Sequence, residues 1–106
     1  MKYLKIYENL RFKIDDYLVL ENTKSNDDKL EKYMIVIIRK KIFKSILVEP
    51  VLNIREYKFE IYEYDISENE YEDEFGRLWK ISFVTDNIEK AKEYYEMCSL
   101  SNKYNL

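Results

Sequence analysis

The stretch DDKLEKYMIVIIRKKIFK, residues 27 to 44, decides between two folds. At a period of 3.6 residues, Leu30, Tyr33, Met34, Ile37, Ile38 and Ile42, with Ile46 just beyond, fall on one side, and Glu31, Lys32, Arg39, Lys40 and Lys44 fall largely elsewhere. That spacing predicts a helix. Ser25 followed three residues later by Asp28 gives it a variant of the capping box. Ile35 to Ile38, however, is an unbroken β-branched run, which loses side-chain freedom in a helix and fits a pleated sheet. That run predicts a central strand. The cap, and the lack of a glycine or Asn-Gly turn to divide the segment, favour a helix over about residues 27 to 44. Pro50 ends whatever precedes it.

On either side the pattern is strand-like. Leu4, Ile6, Leu10, Phe12 and Ile14 occupy even positions, so residues 2 to 20 read as one or two strands, broken at Glu8-Asn9 and Asp15-Asp16. Residues 21 to 28 read as a polar loop. In residues 54 to 65, Tyr57, Phe59 and Ile61 oppose Lys58, Glu60 and Tyr62; in residues 77 to 84, Trp79, Ile81 and Phe83 oppose Lys80 and Ser82. These two strands form a hairpin joined by residues 66 to 76, a long connection whose one turn residue is Gly76. The clearest helix is TDNIEKAKEYYEMCSL, with Asp86 as cap and Ile88, Ala91, Tyr95 and Cys98 as its buried stripe, Tyr94 beside it. It is expected to pack on the Trp79 face of the sheet, and residues 101 to 106 to fray. The fold class is therefore α+β: one domain over residues 1 to 106, mainly antiparallel sheet, packed against a C-terminal helix and, on the helical reading of 27 to 44, a second helix.

Composition excludes several chemistries. A chain of 106 residues with 46% hydrophobic content builds one core. With no histidine, there is no Ser-His or Cys-His pair and no His-containing metal site; Cys98, the single cysteine, precludes an intrachain disulfide and a cysteine-rich zinc site. Cys98 reads as a small buried hydrophobe in acidic company. Gly76 is the one glycine, so neither a phosphate-cradling loop nor a dinucleotide fingerprint can be assembled. No catalytic residue, cofactor or metal is expected. Asp65, Ser67 and Asn69 match the first three ligand positions of a calcium loop, but Glu70 and Gly76 then stand where a glycine and a bidentate Glu are needed. The N-terminus has no secretory core, and the longest apolar run, Tyr33 to Ile38, falls far short of the roughly 18 residues of a membrane span. A cytoplasmic protein without a membrane contact is expected.

Charge is distributed unevenly. Residues 60 to 74 hold eight acids and no base, which leaves 18 bases against 13 acids in the rest of a chain of net charge −3. A bipolar molecule follows. The basic pole is Arg39, Lys40, Lys41 and Lys44 with Phe43 interleaved. It reads as a solvated helix end or, alternatively, as a nucleic-acid-binding patch in which cations follow phosphates and Phe43 stacks on a base.

The acidic pole, EIYEYDISENEYEDEF, carries the main expectation. Its plain reading is a solvated hairpin tip whose charges keep strands from pairing between molecules. Its sharper reading is a partner-binding surface of Glu60, Tyr62, Glu63, Tyr64, Asp65, Glu68, Glu70, Tyr71, Glu72, Asp73 and Glu74. Crowded like charges destabilise a fold through self-repulsion, which a basic partner relieves, and interleaved tyrosines add rigid amphipathic contact area. A short, acidic, tyrosine-rich, cysteine-poor chain resembles the small inhibitors that bacteriophages use against host defences, including anti-CRISPR proteins and DNA mimics. The resemblance is compositional and rests on residues 60 to 75. It implies stoichiometric inhibition, by occupation of a basic groove on a nucleic-acid-handling protein.

Overall fold

The computed structural model describes residues 12–23, 32–51 and 57–104. Six antiparallel strands close into a barrel in sequence order: β1 (Tyr17–Asn22), β2 (Tyr33–Ile42), β3 (Ser45–Pro50), β4 (Phe59–Asp65), β5 (Glu70–Asp73) and β6 (Leu78–Thr85), with β6 hydrogen-bonded back to β1. A short 3-10 turn, Ile66–Glu68, links β4 to β5, and a helix, α1 (Ile88–Tyr104), follows the last strand of the described residues. This is an antiparallel α+β domain, and its sheet is closed. No helix among the described residues is long and apolar enough to cross a membrane.

Residues 33 to 42 are strand β2, which corrects the helical reading of 27 to 44; residues 24 to 31 lie outside the described residues. Two physical facts decide it. First, the first half of β2 is covered on both faces: Met34, Val36 and Ile38 point into the barrel, while Ile35 packs outward beneath α1. A strand buried on both sides needs no polar alternation, so a β-branched run is its natural sequence. Second, the turn into β3 needs no glycine. Lys44 itself adopts the left-handed conformation at φ 63°, and Ile42 pairs with Ser45 across the turn.

The barrel interior is filled by Leu18, Leu20, Met34, Val36, Ile38, Ile46, Val48, Phe59, Ile61, Tyr71, Trp79 and Ile81. Full burial of each aliphatic or aromatic side chain contributes about 1.5–3 kcal/mol. Phe12 plugs one end, with the Lys41 ammonium over its ring and hydrogen-bonded to its carbonyl at 2.9 Å. Of residues 2 to 20, expected as one or two strands, 17 to 20 lie in β1 and 2 to 11 lie outside the described residues.

The helix packs on the outside of β1, β2 and β6, not on the Trp79 face. Trp79 points into the barrel, whereas Val19, Ile35 and Phe83 form the outer seat on which Ala91 is fully buried. A register shift where β1 meets β6, between Val19 and Leu20, turns Phe83 to the face opposite Trp79 and Ile81. There the Phe83 ring stacks on Tyr94 at 4.6 Å and 8°. The N-cap is Asn87 rather than the expected Asp86: its Oδ1 accepts the Glu89 and Lys90 N–H groups at 2.8 and 3.2 Å. Within the expected connection 66 to 76 lies β5, which converts an open hairpin into the strand that completes the closure.

Candidate functional site

The acidic segment occupies β4, the 3-10 turn and β5, and strand alternation divides it. On β4, Phe59 and Ile61 enter the core, so Glu60 and Tyr62 face outward, and Tyr64, at the register shift between Glu63 and Asp65, is exposed. On β5, Tyr71 and Asp73 turn inward and are each 3% exposed, leaving Glu70 and Glu72 outside. Tyr71 and Asp73 are thus taken up by the fold and present no surface to a partner.

Asp73 is the centre of a buried network. Its carboxylate accepts the Trp79 indole N–H at 2.9 Å, the backbone N–H groups of Phe75 and Arg77 at 2.9 Å, and the Arg77 Nε, with which it forms an ion pair. Burial pushes this carboxyl up, and the bonds from Trp79, Arg77 and Phe75 outweigh it, so the net shift is downward. Tyr71 goes the other way: burial, and then the negative charge of Glu63, push its phenol up to about 12.

Asp65 and Glu70 are also engaged within the fold. Asp65 caps the 3-10 turn, accepting from the Ser67 N–H at 3.1 Å and the Ser67 hydroxyl at 2.6 Å. Glu70 sits opposite Lys80 and accepts the Thr23 hydroxyl at 3.1 Å.

What remains forms one outward cluster. Tyr62 lies opposite Glu72, and the neighbouring Glu60 carboxylate as an acceptor, then desolvation and the charges of Glu60 and Glu74, raise its phenol pKa. Glu74 closes the group by accepting the Glu60 N–H at 3.4 Å. Glu60, Tyr62, Glu72 and Glu74 are thus gathered on one barrel face, with Tyr64 exposed on the same strand and Glu63 and Glu68 exposed at the barrel end.

The basic candidates are less unified. Arg39 is bound at 2.7 Å by Glu49 and lies 3.7 Å from Asp15, and Lys41 is turned onto Phe12. Lys40, Phe43 and Lys44 stay exposed, Phe43 at 87%. This tip adjoins the acidic strand: the Glu63 N–H donates to the Lys44 carbonyl at 3.0 Å.

One feature escaped the sequence reading. Beside Glu74 an open cleft of about 380 Å³ is lined by Tyr57, Lys58, Phe59, Phe75 and Arg77. Tyr57 is 88% and Phe75 72% exposed, while the Arg77 guanidinium lies 5.2–5.5 Å from the rings of Phe59, Phe75 and Trp79. The available signal was Phe75, a large apolar residue beside Gly76 in a turn that would ordinarily be polar.

Compared with known proteins, the chain matches no protein-family model, no curated protein and no solved structure.

Proposed function

We propose that this protein is a non-enzymatic binding module that docks the outer β4–β5 face on a basic surface of a nucleic-acid-handling protein. The observation that carries the reading is the closed barrel. Acidic side chains guard sheet edges against pairing between molecules, but β4 and β5 are each paired on both sides and have no such edge to guard. The cluster of Glu60, Glu72 and Glu74 around Tyr62 therefore costs self-repulsion without serving edge protection. A cationic partner offsets that cost. In such a complex the acids speed encounter and set orientation, Tyr62 and Tyr64 add contact area, and the neighbouring Tyr57–Phe75 cleft seats an apolar side chain of the partner. The mode of action implied by the likeness to phage inhibitors is occupation of a groove that otherwise holds DNA or RNA.

Direct nucleic-acid binding through Arg39, Lys40, Lys41, Phe43 and Lys44 has weaker support, because Arg39 and Lys41 have partners within the fold and Glu63 sits against the same turn. Its signature is a steep loss of DNA or RNA affinity with rising salt.

The test is affinity capture from a bacterial lysate with the native protein beside a variant carrying E60Q, Y62A, E72Q and E74Q, with duplex DNA as competitor. Basic nucleic-acid-handling proteins retained by the native chain alone and released by DNA support the reading. Equal capture by both chains overturns it.

A further inference from the structure

The outer faces of β2, β3 and β4 form two rows fixed by strand register. Lys40 faces Leu47, which faces Glu60; one step along, Ile42 faces Ser45, which faces Tyr62. Alternation sends all six outward, because Ile46 and Val48 between them enter the core. Each row therefore starts on β2, crosses a small or half-buried residue on β3, and ends on β4. The first runs from a cation to an anion; the second runs from an aliphatic side chain to an aromatic one.

We propose that this face pairs with a second copy of itself about a two-fold axis lying along β3. Such an axis exchanges β2 and β4 while preserving the level along the strands. It sets Lys40 of one copy against Glu60 of the other, and Ile42 against Tyr62, with each contact made twice, as an isologous interface requires. Ser45 and Leu47 lie on the axis, and Ser45, 5% exposed, puts no protruding side chain between the two copies. Ile42 and Tyr62, 42% and 45% exposed, supply the apolar centre. Two convex barrel walls meet over a narrow strip, which places the pair among weak, transient associations that rest on steering charge. The pairing requires no other protein, so it stands or falls separately from the partner-binding proposal. If both hold, they use the same residues, and self-association competes with the partner for Glu60 and Tyr62.

Sedimentation equilibrium of the purified full chain tests it, at low and high protein concentration and at about 0.05 M and 0.5 M salt. The expected result is a mass rising from 13.1 kDa toward twice that value at high concentration in low salt, and returning to 13.1 kDa in high salt. K40E and E60K are each expected to stay monomeric, because each sets like charges opposite one another. An equimolar mixture of the two, or the double variant K40E/E60K, restores both attractive pairs and the doubled mass. Circular dichroism of each variant establishes that it is folded. A native chain that stays at 13.1 kDa throughout, single variants that dimerise like the native chain, or folded variants whose mixture stays monomeric would each overturn the proposal.

Discussion

The Trp79 indole and the Asp73 carboxylate meet at 2.9 Å inside the end of the barrel, one at 1% and the other at 3% exposure. This bond ties β5 to β6 and orients the largest of the fully buried side chains. Changing Asp73 to Ala leaves the Trp79 N–H unsatisfied and the Arg77 charge without its carboxylate. Removal of one member of a buried pair costs about 3–5 kcal/mol. A correspondingly lower urea midpoint at neutral pH is expected, and a loss below about 1 kcal/mol would show that the network is dispensable.

Acid should reach the fold through the same residue. Because the native Asp73 carboxyl is depressed, the unfolded chain takes up its proton first as pH falls. The stabilisation is complete above the ordinary carboxylate range and is lost as pH drops through the native value. Denaturant midpoints measured from neutral pH downward should fall across that window, and D73N should flatten the slope.

At the alkaline end Tyr71 gives the opposite sign. Its phenol ionises at about 12 in the folded protein, against about 10 when exposed in the unfolded chain. Stability from this group is complete below about pH 10 and declines as pH rises toward about 12. Ultraviolet titration should show a late-ionising tyrosine that Tyr71→Phe removes, together with part of the alkaline destabilisation.

The helix start offers a local test. Asn87→Ala removes the acceptor for two backbone N–H groups and should cost about 1 kcal/mol, while Asp86→Ala should change stability far less. Comparable losses for both would reassign the cap.

Lys44 holds a left-handed conformation that costs a non-glycine residue about 1–2 kcal/mol. Glycine relieves that strain but adds unfolded-chain entropy, so Lys44→Gly should stabilise the protein by up to about 1 kcal/mol. A thermal melt reads this as an increase of up to several degrees.

These residues also explain how far the sequence was legible. Alternation places β6 and the end of β4 within a few residues, and of the expected helix stripe of Ile88, Ala91, Tyr95 and Cys98, with Tyr94 beside it, all but the half-buried Cys98 join the outer seat. Alternation fails where register shifts: one irregularity sends Phe83 to the outside while Trp79 stays within. The Ile35–Ile38 run points to a strand, but the helical reading of 27 to 44 prevails over it because the run's two covers, the barrel core and α1, come from distant parts of the chain, and because Lys44 turns without glycine. In the acidic segment, the candidate surface runs from Glu60 to Glu74 in the sequence; the fold brings Glu60, Tyr62, Glu72 and Glu74 to one face, and nothing local marks Asp73 as buried. Its reason is Trp79 and Arg77, which reach it only after β6 has paired.

The seam between β1 and β6 sets a clock for folding. Tyr17 meets Thr85 and Asn22 meets Trp79, so the contacts that seal the barrel join the first described strand to the last. Ordering a loop of that length precedes any return from the seam, and such topologies fold slowly for their size. During synthesis Val19 leaves the ribosome long before Phe83 and Ala91, its eventual cover, exist, and Leu18 and Leu20 long before Trp79 and Ile81. The protein is most exposed to misassembly in that interval, and substitutions that hasten docking of residues 78 to 85 should improve yield even where they leave the finished stability unchanged.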